Sequence, residues 1–206
     1  MNAEGASYRP IKFIDKMEGN NHIVLLYDNE KYADLIIARY LLNGLQKAES
    51  CIFFTSDKPE TIEERLSIEG IDVDSFKQKK SLRIFRNERA DTNKLDVLGT
   101  LKSIREEATR GMKPPYRFVG RTIRDTGTIE GMNLGLVVEK TGHEHFEEFD
   151  NSQLCYYDIS GLEQSKRDEW IRGLLKSHHY VIYASEPDKA VAFETKLLEP
   201  EEEEEE

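Results

Sequence analysis

Short apolar runs alternate with longer amphipathic ones along most of this chain. HIVLLY (His22 to Tyr27) is a β-branched run of strand length, and Tyr32 to Leu45 then carries apolar residues on a broad helical face. CIFFTS at 51–56 precedes the helical pattern PETIEERLSIEG at 59–70, where Pro59 suits a first helical turn and Gly70 an end. The order repeats with SLRIFR (81–86) before Lys94 to Arg110, and YRFVGRTI (116–123) before Met132 to Phe149. QLCYYDIS (153–160) precedes Glu163 to Ser177, and HYVIYAS (179–185) closes the series. Each parallel return needs a crossover, so six strands separated by helices predict an α/β fold, a three-layer, doubly wound, mostly parallel sheet.

Composition narrows the class. With 206 residues, 38% hydrophobic and 33% charged, the chain suits a single soluble domain, and no apolar run reaches the roughly 20 residues that span a bilayer. The pattern divides into a polar leader (1–20), an α/β domain (21–195) and an acidic tail (196–206) expected to be disordered. The leader lacks the basic and apolar stretches of a secretory signal, which predicts a cytoplasmic protein. Of the net charge of −11, Glu199 and Glu201 to Glu206 supply seven, leaving −4 for the rest. That mildly acidic body disfavours nucleic acid, whose phosphates require a basic surface. Cys51 and Cys155 lie within apolar runs and read as buried hydrophobes rather than a disulfide.

In sheets of this class, ligands favour the carboxyl ends of the strands. The first such turn is Asp28-Asn29-Glu30-Lys31, which has no glycine to bring backbone amides onto an anion and carries two carboxylates that repel phosphate. Asp28 reads as the helix cap. Gly127, Gly131 and Gly135 form no GxGxxG fingerprint after the first strand, so a dinucleotide site is not expected. His22 opens the first strand, where it hydrogen-bonds across to a neighbouring strand or lines a pocket; Tyr27, Asp28, Ser56, Asp57 and Asp158, at the carboxyl ends of strands, converge on a pocket or serve as caps and turn formers. Arg121 and Arg124, on or just beyond the fourth strand, need carboxylate partners or an anionic ligand.

His143 and His145 point about 200° apart on a helix, and His143 with Glu147 makes only half a metal site, so no metal is expected. His178-His179 reads as a helix end that favours positive charge. No serine sits in a GxSxG turn and no catalytic residue is assigned.

The order and spacing of several pieces carry a resemblance. HIVLLY, Asn43-Gly44-Leu45, CIFFTSD, LSIEGIDVDSF, LRIF, the EGM at Glu130 to Met132, FEEF at Phe146 to Phe149, CYYDIS and HHYVIYAS together resemble the MEDS family, the sensory domain of methanogens, methylotrophs and the dichloromethane-responsive repressor. The resemblance covers about residues 22–185. It implies a RecA-like, KaiC-like domain that has lost its phosphate loop, in agreement with the Asp28 to Lys31 turn. It also implies a non-enzymatic sensor of an unknown small molecule such as a hydrocarbon derivative, without a cofactor. With no kinase or DNA-binding segment in the sequence, action in trans on a histidine kinase or transcriptional regulator is expected. A homo-oligomer, an interaction protein pairing with an intact ATPase, and a residual nucleotide hydrolase are the other expectations.

Overall fold

The structure is a computed structural model that describes residues 9–87, 96–120, 128–162 and 164–198. A seven-stranded sheet runs through the domain in the order β3-β2-β4-β5-β1-β6-β7, with β1 His22–Tyr27, β2 Ser50–Thr55, β3 Leu82–Arg86, β4 Tyr116–Val119, β5 Asn151–Asp158, β6 Tyr180–Ala184 and β7 Val191–Glu194. β1 to β6 are parallel, and β7 pairs antiparallel with β6 at one edge. The helices are α1 Pro10–Lys16, α2 Glu30–Gln46, α3 Pro59–Ile68, α4 Val73–Gln78, α5 Val97–Thr109, α6 Ile129–Glu144 and α7 Gln164–Lys176.

Successive strand residues face opposite sides of the sheet, and β1 is buried on both. Ile23 and Leu25 join Phe13 and Ile14 of α1, Ile36 and Leu41 of α2, and Ile62 of α3 in one core. Val24 and Leu26 face the other way, with Cys155 and Tyr157 of β5, Met132 of α6, and Trp170 and Leu174 of α7. The doubly wound, three-layer reading holds. His22 has the parity of Val24, so β1 presents its imidazole to the α6 and α7 layer.

Some details depart from the sequence reading. Asn29, not Asp28, caps α2: its side chain accepts from the Tyr32 amide at 3.0 Å. Asp28 is one residue too early for that geometry and instead accepts from the Tyr183 hydroxyl at 2.9 Å. β4 stops at Val119 because Gly120 has φ of +137°, and a Cβ there would lie 2.5 Å from the Phe54 carbonyl oxygen. α6 ends at Glu144, with a short 3-10 turn over Phe146–Glu148. Within residues 1–20, α1 places Phe13 and Ile14 in the core, and Arg39 of α2 holds Asp15 by a bidentate pair at 2.6 and 2.9 Å. Among the described residues, no helix is long and apolar enough to cross a membrane.

Candidate functional site: a buried histidine, glutamate and cysteine cluster

The residues expected at the site fall in three places. Tyr27 and Asp158 are register partners at the carboxyl ends of β1 and β5, and Asp28 follows Tyr27. Asp158 is exposed and folds its own turn, accepting from the Ser160 amide and hydroxyl at 2.8 and 2.7 Å. Asp57 follows β2, which β4 and β5 separate from β1, and it is exposed. Arg121 and Arg124 lie outside the described residues. His22 is at the opposite, amino edge of the sheet, and there the polar chemistry concentrates.

Four elements build that edge. β1 contributes His22, β5 contributes Cys155 and Tyr157, α6 contributes Glu139 and His143, and the turn between α7 and β6 contributes His178 and His179. His22 Nε2 lies 3.6 Å from both Cys155 Sγ and Glu139 Oε2. Cys155 Sγ donates to Glu139 Oε2 at 3.4 Å, and His178 Nε2 is 3.5 Å from the same oxygen. The His22 and His178 rings are tilted against each other at 4.0 Å. His22 also stacks on Phe146, and its backbone amide donates to His179 Nδ1 at 3.2 Å. His22, Glu139, Cys155 and His178 are all buried.

Burial sets the electrostatics, because a low dielectric disfavours every charged form. It pushes His22 well below its ordinary pKa, helped by the neighbouring imidazoles, and His178 down to about 3. It raises the Cys155 thiol well above its usual range and raises Glu139 too, although hydrogen bonds from Tyr157 and Cys155 and the charge of Arg105 pull Glu139 back. His178 is therefore not the positive helix end that its place after α7 suggested. The side chain does serve the helix end, since Nδ1 lies 2.7 Å from the Leu174 carbonyl, but as a neutral ring.

Beside the cluster, Arg105 of α5 is buried between the rings of Phe118 and Phe149 and hydrogen-bonds Asn151 and Gln153. Gln153 passes this on, donating from Nε2 to Cys155 Sγ at 2.9 Å.

The cluster borders, through His178, a cleft of about 750 Å³ lined by His143, His178, His179, Arg172, Lys176 and Tyr180 among others. His143 and His179 are half-buried in its wall, with ring centroids 4.9 Å apart. Arg172 and Lys176, four apart on α7, are exposed and add positive charge at the rim. Their placement lets the cleft hold a polar or anionic group near neutral imidazoles, with Leu175 and Tyr180 as apolar contact.

A family profile described as MEthanogen/methylotroph, DcmR Sensory domain matches residues 21–194. The chain belongs to the MEDS family. A search of curated proteins returns no match. Among solved structures, this MEDS domain is similar to a KaiC-like protein from the hyperthermophilic archaeon Pyrococcus horikoshii OT3, at 13% identity and a TM-score of 0.51 over 82% of this chain and 73% of that one. The likeness shows the fold: the MEDS domain is RecA-like in the KaiC manner, as its sequence resemblance implied.

Sequence reasoning missed Glu139, Cys155 and His178 as members of one cluster. One signal was available for Glu139. It shares the buried face of α6 with Met132, Gly135, Val138 and Gly142, and a carboxylate on an apolar stripe requires a buried partner. Cys155 and His178 gave none, because their approach to His22 depends on which strands neighbour β1.

Proposed function

We propose that this MEDS domain is a non-catalytic sensor whose signal molecule enters the cleft at the amino edge of the sheet and is read by the histidines beneath it. The observation that carries the reading is the cleft itself. Its volume suits a small ligand, it sits directly over the polar cluster, and it offers Arg172, Lys176, His143 and His179 around the apolar contact of Leu175 and Tyr180. That lining favours a short organic molecule with an anionic or hydrogen-bonding head. Occupancy would bear on α6 and α7, the layer over β1, and from there on a separate signalling or transcriptional partner.

The first turn supports a sensor over a nucleotide hydrolase. Asn29 occupies one of the orphan amides at the α2 N-terminus, and the preceding residue in the turn is the carboxylate Asp28, which accepts from the Tyr183 hydroxyl. A thermal-shift screen of the whole chain with short organic acids, alcohols and one-carbon compounds, beside magnesium ATP, tests the reading. A ligand at 100 times its Kd stabilises by about 2.7 kcal/mol. An organic compound should raise Tm, and the Arg172→Glu/Lys176→Glu variant, altered only at exposed positions, should lose that response. Stabilisation by ATP, or a response untouched by the variant, would overturn it.

A further inference from the structure

We propose that His22, Glu139, Cys155 and His178 form a closed, four-ligand site for a divalent ion of the zinc class. The inference stands apart from the small-molecule reading and survives if no organic ligand binds the cleft.

Donor geometry is the first support. Tetrahedral zinc, with bonds of about 2.0–2.1 Å to nitrogen and oxygen and about 2.3 Å to sulfur, places its ligand atoms about 3.3–3.6 Å apart. Four of the six separations in this cluster are 3.4, 3.5, 3.6 and 3.6 Å. All the donor atoms lie within 4.8 Å of one another. Two imidazoles, a thiolate and a carboxylate suit zinc rather than the all-oxygen preference of calcium or magnesium.

The surrounding hydrogen bonds are the second support, because metal ligands need outer partners that fix their orientation. His178 Nδ1 faces the Leu174 carbonyl, which only accepts, so Nδ1 carries the proton and the bare Nε2 lone pair is aimed into the cluster. That Nε2 is fully buried and has no hydrogen-bond partner, a cost that a metal bond would remove. His22 Nδ1 lies 3.4 Å from His143 Nδ1, leaving Nε2 to the cluster. The Tyr157 hydroxyl donates to Glu139 Oε1, which leaves Oε2, and Gln153 donates to Cys155 Sγ. Each of the four side chains is thus held from outside while one donor atom of each converges on a common point.

Charge is the third. A divalent ion with one thiolate, one carboxylate and two neutral imidazoles makes a neutral site, which is what full burial demands. The Cys155 thiol proton, and any proton on Glu139, leaves to solvent as the ion binds. The cleft supplies the way in, since His178 is both a ligand of the cluster and part of the cleft lining, and His143 stands beside it.

The test is a cobalt titration of the whole chain after chelator treatment, with elemental analysis of the reconstituted zinc form. The expected result is a thiolate-to-cobalt charge-transfer band that saturates at one equivalent and is displaced by zinc. Cys51→Ser should keep the band and Cys155→Ser should lose it. His143→Ala should keep one equivalent while weakening affinity 10- to 100-fold, as loss of an outer partner does. Circular dichroism reports whether Cys155→Ser stays folded. If it does not, the wild-type stoichiometry and the Cys51→Ser spectrum still decide. Absence of a charge-transfer band in the wild type, no bound metal at excess, or a band that survives in Cys155→Ser would overturn the assignment.

Discussion

Replacing Glu49 by alanine strands the Arg117 guanidinium inside the sheet. Arg117 projects from β4 with its side chain 4% exposed, and Glu49, 14% exposed, closes a bidentate pair with it at 2.6 and 3.0 Å. The guanidinium also meets the Tyr40 carbonyl at 3.1 Å and the face of the Tyr40 ring at 4.6 Å. Removing one partner of a buried pair costs about 3–5 kcal/mol, because the other charge stays desolvated. The slight exposure of Glu49 lets water reach the gap and places the expectation near the lower bound, about 3 kcal/mol. At a urea slope of about 2–3 kcal/mol/M, the midpoint should fall by about 1 M with an unchanged slope. Far-UV circular dichroism in a urea series measures it. Glu49→Leu/Arg117→Met, which removes both charges, should return to within about 1 kcal/mol of the wild type. A loss below about 1 kcal/mol for Glu49→Ala, or a double variant no more stable than the single, would refute the reasoning.

Gly44→Ala should destabilise by about 1–3 kcal/mol in the same assay, since its Cβ would meet Arg117 Nε at 2.5 Å and Cys51 Sγ at 2.9 Å. Its cost should fall when combined with Glu49→Ala, because the two changes act on one guanidinium. The Asp15–Arg39 pair makes stability depend on acid. The hydrogen bond from Arg39 lowers the Asp15 pKa below 3.8, so its contribution is present above that value and is lost as pH falls through the lowered folded value. The stability gap between wild type and Asp15→Asn should therefore narrow as pH falls below 3.8, and a constant gap in urea midpoints would contradict this.

The strands of the central sheet were legible because each is a short apolar run: HIVLLY is β1 residue for residue. β7 was not, since the apolar stretch of Val191–Glu194 is shorter than the other runs and pairs only with β6, antiparallel at the sheet edge. α4 was hidden behind the Pro59 to Gly70 helix for a similar reason, its six residues being too few for a period to show. Arg121 and Arg124, singled out as charges on or just beyond the fourth strand, lie outside the described residues; the buried charge within β4 is Arg117, whose partner Glu49 lies 68 positions away. The candidate site shows the same limit. His22 was named from its place at a strand start, while Cys155 and Glu139 join it only because β5 lies next to β1 and α6 crosses that pair. Local pattern sets parity and periodicity; strand order decides which side chains meet, and distant pairings carry that information.

The most direct test of a signal entering at the amino edge is amide NMR of the whole chain, titrated with short organic acids and separately with magnesium ATP. Saturable shifts at Asn21, His22, His143 and His178 to Tyr180 with an organic acid, and none with ATP, are the predicted result. Shifts confined to Tyr27 to Lys31, Asp57 and Asp158, or saturable ATP binding at that turn, would contradict it.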